Sequence, residues 1–302
     1  MILLLRKKCI QKIFRTTICL FLLLVVSTIS NLSNKISPVM LDIEDVTMAG
    51  NSYIYVMDKS GYLVKRPIYL QSNDLNENVL KIVSYLKNKN LMYSNGLLNE
   101  KLEVLSINFD EKYLTIDFSC DFYETEDLNS SVSSLIYSLM ELDGVKGVTI
   151  LVEGEYLKGY PKIINKDISI INPSFELTSR DDVSKVVIYY LLEDDGKYYY
   201  VPVTKYLNDT REKIDILVDQ LSSNSSMELI SVVNRDLELI DYREENDMLI
   251  LNFNHALFDS NDKVLEEVLY CISYSVFDNY DVSMVLFEVD GKNVGNIEKN
   301  HL

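Results

Sequence analysis

The apolar and polar positions of this chain recur with an offset of 135 residues. Two segments, Tyr55–Ile68 and Tyr190–Val203, each predict a strand, an acidic turn and a second strand. Their glycines, Gly61 and Gly196, occupy the same place in the pattern. Because a tight strand reversal usually places one residue at positive φ, which suits glycine, both segments are predicted to form β-hairpins.

A helix is predicted after each hairpin. Apolar residues stand at i, i+3, i+4 and i+7, the spacing that forms one buried stripe on a helix. They are Val79, Ile82, Val83 and Leu86 in the first copy and Ile214, Leu217, Val218 and Leu221 in the second.

Two strands, a second helix and a late strand complete each copy. Strict alternation of apolar and polar residues at Leu114–Phe118 and Leu249–Phe253 predicts strands with one buried face. Each follows a shorter apolar segment, Leu102–Val104 or Leu237–Leu239, and a polar turn. The second helix is predicted over Val132–Met140 and Val264–Val276, and the late valine-rich strands over Val145–Val152 and Val282–Val289, at an offset of 137. Each copy thus predicts the order ββαββαβ over about 110 residues, an ordinary domain length.

The predicted fold class is α+β, with two tandem ββαββαβ-type domains, each a sheet with helices on one face. The predicted divisions are a leader (1–30), a linker (31–51), a first domain (52–159), a connection (160–184) and a second domain (185–297). Because each copy has its own apolar stripe and alternation, each is expected to fold alone.

The N-terminal segment is typical of export. Residues 1–30 contain five basic residues and no acid, and an uncharged apolar run, Ile18–Val26, follows them. This pattern predicts a signal sequence or membrane anchor whose basic end stays in the cytoplasm. Whether the leader is cleaved stays open. The domains are therefore expected outside the cytoplasm, at the membrane or, after cleavage, secreted.

The composition and net charge of the chain exclude one class of partner and argue against histidine-based sites. The chain has 302 residues, 47% apolar residues and a net charge of −17, so a nucleic-acid partner is excluded by repulsion from the phosphates. Only two histidines, His255 and His301, are present. Two of the four cysteines belong to the leader, and the other two, Cys120 and Cys271, are interpreted as small buried residues in preference to a disulfide, which stays open.

No residue is assigned a catalytic, cofactor-binding or metal-binding role, and the chain is not predicted to be an enzyme. The adjacent acids Asp194-Asp195, Asp181-Asp182 and Glu244-Glu245 are interpreted as solvated turn residues, because neighbouring strand residues point to opposite faces. The segment Asp259–Asp262 lacks the glycine and distal glutamate of a calcium loop. His255 aligns with Cys120, which favours a packing position over a ligand.

Tyrosine is abundant, with 21 residues and a run at Tyr198–Tyr200. Such a run suits either a glycan-stacking platform or an ordinary strand face, and the structural interpretation is favoured.

The ordered features resemble the GerMN domain family. They are the hairpin step Val201–Val203, the leucine-rich strand Leu102–Leu105, the alternating strand Leu114–Ser119, and the closing strands that end at Val152–Gly154 and Val289–Gly291. The resemblance covers residues 52–157 and 186–296. An N-terminal anchor followed by two such domains is also the arrangement of the family member after which the domain is named.

This resemblance implies a non-enzymatic envelope protein of sporulation or germination, since the family offers no catalytic residues to carry over. Domains of this family are similar to ring-building modules, so the implied partners are membrane or envelope proteins in a homo- or hetero-oligomer. The alternative is a general envelope module that binds peptidoglycan or a wall enzyme.

Overall fold

The computed structural model describes residues 51–88, 97–223 and 226–299. The predicted leader and residues 31–50 of the predicted linker lie outside the described residues. Within the described ranges, no helix is both long and apolar enough to cross a bilayer.

The first repeat contains six strands and two α-helices. They are β1 (Ser52–Met57), β2 (Leu63–Ile68), α1 (Leu75–Lys87), β3 (Val104–Asp110), β4 (Tyr113–Phe118), α2 (Leu128–Leu139), β5 (Gly147–Val152) and β6 (Glu155–Tyr156). A short 3-10 helix, Cys120–Glu124, follows β4.

One short strand precedes the second repeat, which has seven strands and two α-helices. They are β7 (Ser174–Glu176) in the connection, then β8 (Val183–Asp194), β9 (Lys197–Asn208), α3 (Lys213–Ser222), β10 (Leu229–Ile230), β11 (Leu239–Glu245), β12 (Met248–Phe253), α4 (Glu266–Phe277), β13 (Met284–Val289) and β14 (Lys292–Glu298). A 3-10 helix, His255–Leu257, follows β12.

The helices form where their stripes predict. All four predicted apolar positions of α1 and all four of α3 are buried. Asp74 caps α1, because its side chain accepts a hydrogen bond from the backbone N–H of Asn76 at 2.7 Å. Asp127 caps α2 in the same way, accepting from the N–H groups of Asn129 and Ser130.

Each repeat places its later strands in a small sheet of its own, ordered β3-β4-β5-β6 or β11-β12-β13-β14. The central strands run parallel, β4 beside β5 and β12 beside β13, since a helix crosses over between them. The sequence pattern did not predict β6 and β14, because their residues are mostly polar.

A polar residue fixes the turn before each added strand. Gly154 and Gly291 have φ of +80° and +75°, a conformation that favours glycine. The Gly154 N–H donates to Asp117 Oδ1 at 3.0 Å, and the Gly291 N–H donates to Asn252 Oδ1 at 2.9 Å. The two repeats therefore build this turn with the same contact.

The hairpins of the two repeats join in one central sheet, ordered β1-β2-β9-β8-β10, with β7 also beside β9. Strands β2 and β9 pair antiparallel, with Lys65 opposite Tyr200. The α+β class and the tandem repeats are confirmed, but the sharing of a sheet was not predicted. The two hairpins meet through their second strands, so the repeats are related by an approximate two-fold axis.

The connection between the repeats contacts both of them. Ile164 forms an isolated β-bridge with Val148 of the first repeat. Farther along, the Ile171 N–H donates to Thr204 Oγ1 of the second repeat at 3.0 Å. Both isoleucines are buried, so this segment is part of the core.

Candidate functional site

The junction of the repeats holds a buried cluster of charged groups and tyrosines. Tyr55 Oη donates to Glu141 Oε1 at 2.9 Å, and Tyr189 Oη donates to Asp278 Oδ2 at 2.7 Å. The two hydroxyl oxygens are 3.0 Å apart. Lys166 Nζ, from the connection, lies 2.9 Å from Glu141 Oε1 and 2.7 Å from Asp278 Oδ1. One lysine thus joins an acid from each repeat, and these five residues are called the junction cluster.

Lys65 extends the junction cluster along β2. Its Nζ lies 3.3 Å from Glu141 Oε2, and its side chain is only 4% exposed. The ammonium group also sits 4.2 Å from the ring centre of Tyr53 and 3.8 Å from that of Tyr274. Such contacts with ring faces stabilise a cation that has lost its water.

Burial and pairing shift the pKa values of these groups. Burial lowers the pKa of Lys65 to about 8, although Glu141 opposes that shift. Burial alone would raise the pKa of Glu141, but attraction by Lys166 and Lys65 outweighs it and holds this pKa at about 2. Burial likewise acts to lower the pKa of Lys166, but its two acids outweigh that effect and raise it. Glu141 is therefore charged at neutral pH, and its ion pairs with Lys65 and Lys166 join the first repeat to the connection.

Sequence reasoning missed the junction cluster, because charged residues were assigned to solvated surfaces. One signal was present: Glu141 and Asp278 each follow the second helix of their repeat at the offset of 137. The contacts also relate Tyr55 to Tyr189, an offset of 134 in the first strand of each hairpin.

Helix side chains cover the hairpin strands β1 and β8 on the side away from their hairpin partners. The Tyr55 N–H donates to Ser138 Oγ of α2 at 2.9 Å, and the Tyr189 N–H donates to Ser275 Oγ of α4 at the same distance. Ladder groups that face away from the neighbouring strand are therefore already satisfied at these positions. A partner strand cannot pair there without displacing the helix.

Strands β3 and β11 lie at one edge of the two small sheets and are called the outer edges. Each is the first strand of its small sheet and has no neighbour on one side among the described residues. Large apolar side chains on them are exposed: Leu105 by 47%, Phe109 by 37%, Ile240 by 52% and Tyr242 by 40%. Unpaired edges with exposed apolar residues can be extended by a strand from a partner.

One pair of adjacent acids does converge, so the sequence prediction was wrong for Asp194-Asp195. Lys59 Nζ lies 3.0 Å from Asp194 Oδ1 and 2.5 Å from Asp195 Oδ2. Asp195 has φ of +52°, which breaks the strand alternation on which the prediction rested. The two carboxylates form ion pairs with a lysine from the turn of the first repeat.

Glu244 and Glu245 pair in strand β11, which corrects their prediction as turn residues, whereas Asp259 lies in a turn. Glu245 Oε1 accepts from Arg243 Nε at 3.1 Å. Asp259 Oδ1 accepts from the N–H groups of Asn261 and Lys263, which closes a tight turn. In the part of the chain that the structure describes, no group of three or more histidine, cysteine, aspartate or glutamate side chains is arranged to hold a metal ion.

Cys120 and His255 are both exposed, which corrects the predictions of a buried Cys120 and of a shared packing position. Each begins the 3-10 helix after its strand, where the chain turns away from the sheet. Cys271 is buried in α4 as predicted, and burial raises the pKa of its thiol. Both cysteines are free.

The run Tyr198–Tyr200 does not form a stacking platform. Arg66 lies over the Tyr199 ring, 4.4 Å from its centre. The Tyr200 ring is buried and packs edge-on against Tyr274, with ring centres 5.0 Å apart. These two rings therefore have structural roles.

The repeated geometry agrees with comparisons to known proteins. The sequence profile of the Germane family, described as "Sporulation and spore germination", matches residues 53–158 and 187–295. The chain belongs to the Germane family. This confirms the resemblance to GerMN domains.

A Germane relative is the spore germination protein GerM of Bacillus subtilis (strain 168). It is 26% identical over 260 residues, which cover 79% of this chain and 71% of the relative. The fold is similar to the solved tandem GerMN domains of the sporulation protein GerM from Bacillus subtilis. That match has a TM-score of 0.69 and 22% identity and covers 80% of this chain and 91% of that chain. Membership of the Germane family supports a role in sporulation or germination.

Proposed function

We propose that this Germane protein is a non-enzymatic assembly component of the cell envelope in sporulation or germination. The leader holds the two repeats outside the cytoplasm, and the repeats bind membrane or envelope proteins or further copies of the chain. The outer edges are the contact surfaces.

The distribution of open and covered edges is the observation that supports this proposal. In both repeats the hairpin edge is covered by a helix serine, whereas the outer edge carries exposed apolar residues. A stably soluble sheet usually protects an edge with charges, prolines or a covering element. Leu105 and Ile240 correspond at the offset of 135, and exposed apolar residues at equivalent places on two edges suit pairing with a neighbour.

The net charge of the chain without its leader indicates which kind of partner it can bind. Without the basic leader, the chain has 24 basic and 46 acidic residues, a net charge of −22. Such a surface is repelled by anionic lipid headgroups and favours a basic protein partner.

The ionisable groups also support a non-enzymatic role. Lys65 and Lys166, the two buried lysines of the junction, are bound to acids and tyrosine rings. The adjacent acids with the strongest claim to chemistry, Asp194 and Asp195, bind Lys59. The relative GerM is named for germination and for no reaction.

Counts of heat-resistant spores test the role in cells. A strain lacking this chain is expected to form far fewer heat-resistant spores while its viable vegetative count stays normal. Wild-type chain and Leu80→Lys should restore the count, because Leu80 lies on α1, away from the outer edges, and matches Leu105 in exposure (48% against 47%). Leu105→Lys and Ile240→Lys should each lower it by about tenfold or more, since a lysine buried at an interface without a partner costs over about 1.4 kcal/mol.

Chemical crosslinking checks that the loss reflects broken contacts. Crosslinked species that contain the wild-type chain should also appear with Leu80→Lys and disappear with the edge variants, while all chains accumulate to equal levels. Full activity of both edge variants would remove the outer edges from the proposal. Normal heat resistance in the deletion strain would refute the role in sporulation.

A further inference from the structure

A surface groove opens in the first repeat, away from the outer edges. Its volume is about 640 Å³, and it is bounded by the β1–β2 turn, the first turns of α2 and the connection that includes β7. Concave sites for small molecules usually have volumes of about 300–1,000 Å³. The groove therefore has room for a ligand of two or three sugar rings.

Aromatic rings that are held in place from one side line this groove. Phe175 is 67% exposed, yet its ring stacks on Tyr206 with ring centres 5.1 Å apart and planes 9° apart. One face of the Phe175 ring is thus fixed, and the side chain remains largely open. Tyr62, at the β1–β2 turn, is held by a hydroxyl contact with Ser226 Oγ at 3.1 Å.

A third aromatic residue of the groove, Tyr160, is hydrogen-bonded to the polar side chain of Asn129. Tyr160 Oη donates to Asn129 Oδ1 at 2.5 Å, which fixes both side chains. No hydrogen bond among the described residues occupies Asn129 Nδ2, so this amide can donate to a ligand. Rigid rings beside an amide bind the C–H faces and the polar groups of a sugar at little entropic cost.

The charge of the lining excludes an anionic ligand. Asp127 is the charged residue among the described residues that line the groove, and no lysine or arginine lines it. Its carboxylate already accepts the N–H groups at the start of α2, where a phosphate would otherwise bind. The carboxylate instead suits hydroxyl and amide donors.

The second repeat has no matching set of polar groups. At the offset of 137, Asp127 and Asn129 correspond to Val264 and Glu266. The connection that forms one wall follows the first repeat and joins the core there through Ile164. The groove is therefore a feature of the first repeat and its connection, added to the duplicated framework.

We propose that this groove binds a neutral oligosaccharide with N-acetyl groups, the chemistry of a chitin-type glycan. The rings of Phe175, Tyr160 and Tyr62 stack on sugar faces. The Asn129 amide donates to an acetyl or hydroxyl oxygen, and Asp127 accepts from hydroxyl or acetamido groups. This site is independent of the proposed assembly function, because it uses none of the residues of the outer edges.

Titration calorimetry with the full chain in a detergent without sugar headgroups tests the proposal. The probes are tetra-N-acetylchitotetraose, the tetrasaccharide of alternating N-acetylglucosamine and N-acetylmuramic acid, and cellotetraose, which lacks acetamido groups. Saturable binding of tetra-N-acetylchitotetraose, tighter than that of cellotetraose, is expected. The wall tetrasaccharide, whose N-acetylmuramic acid units carry carboxylates, is expected to bind more weakly than the neutral chitin fragment, and tighter binding of it would contradict a site for neutral ligands.

Matched variants locate the binding. Phe175→Ala and Asn129→Ala should each weaken binding by about tenfold, whereas Tyr69→Ala, an aromatic exposed by 61% elsewhere, should leave it unchanged. The variant residues are exposed, so unchanged circular dichroism and urea midpoints should accompany the loss. Absence of saturable binding, equal binding by all three variants, or preference for an apolar peptide over every glycan would overturn the proposal. None of these outcomes depends on spore counts, so the two proposals fail separately.

Discussion

Replacing Lys166 with methionine removes the ammonium group that Glu141 and Asp278 both bind. Methionine retains much of the apolar stem, so the change isolates the charge more than the volume. Lys166 is 13% exposed, and its partners are 14% and 3% exposed. The variant therefore leaves two carboxylates, one from each repeat, close together in a buried site.

Removing one partner of a buried ion pair costs about 3–5 kcal/mol, because the remaining charge stays desolvated. Here Lys65 still contacts Glu141, at 3.3 Å, but no cation remains that joins the two acids. We expect Lys166→Met to lower the free energy of unfolding by about 3–5 kcal/mol. Adding Asp278→Asn should recover part of this loss, since it neutralises the acid whose ion pair with Lys166 is lost while Glu141 keeps its contact with Lys65.

Urea unfolding of the full chain at pH 7, followed by circular dichroism, measures this change by linear extrapolation. Lys146→Met is the matched control. Lys146 Nζ also pairs with an aspartate of the other repeat, Asp281, at 2.7 Å, but the side chains are 50% and 86% exposed. An exposed pair of this kind contributes about 0–1 kcal/mol.

If Lys166→Met and Lys146→Met lower the free energy of unfolding by similar amounts, the prediction is wrong. A further loss of stability when Asp278→Asn is added to Lys166→Met would also contradict the prediction. Either result would mean that the buried acids do not depend on Lys166.

Three further predictions concern the junction and the repeats. The pKa of Lys65 is about 8 in the folded chain and 10.5 in the unfolded chain, so the unfolded chain binds this proton more tightly. The free energy of unfolding should therefore rise from pH 8 to pH 10.5, by at most about 1.4 kcal/mol per pH unit. Urea titrations at several pH values should show this rise in wild type, and an equal slope in Lys65→Met would contradict it. Ser138→Ala and Ser275→Ala should each lower the free energy of unfolding by about 1–3 kcal/mol, because each leaves a buried backbone N–H without an acceptor. The exposed Ser84→Ala is the control and should leave the urea stability unchanged. A neutral result at Ser138 or Ser275 would contradict the covering of the hairpin strands by these serines. Residues 160–302 alone should unfold cooperatively in urea but at a lower midpoint than the full chain, and a featureless transition would show that the second repeat does not fold alone.

The local elements were predictable because their signals are local. The stripe of α1 and the alternation of β4 place residues such as Val79 and Ile116 inside, whatever the rest of the chain does. The late strands ending before Gly154 and Gly291 were predictable for the same reason.

The long-range features carried no such signal. The pairing of Lys65 with Tyr200 joins two hairpins that are far apart in sequence, and nothing periodic marks it. Lys166 lies in a segment read as a connection, so its burial between two acids was not foreseen. Cys120 was placed in the preceding strand, although the chain turns into a 3-10 helix at that residue.

The approximate two-fold axis between the repeats would determine how the repeats are oriented in an assembly of several chains. An assembly built by joining β3 of one chain to β11 of the next would contain, within each chain, two repeats rotated by about 180° relative to each other. The two repeats in such an assembly would differ through what the duplication did not copy: the segment that precedes the first repeat, and the groove beside Phe175 and Asn129.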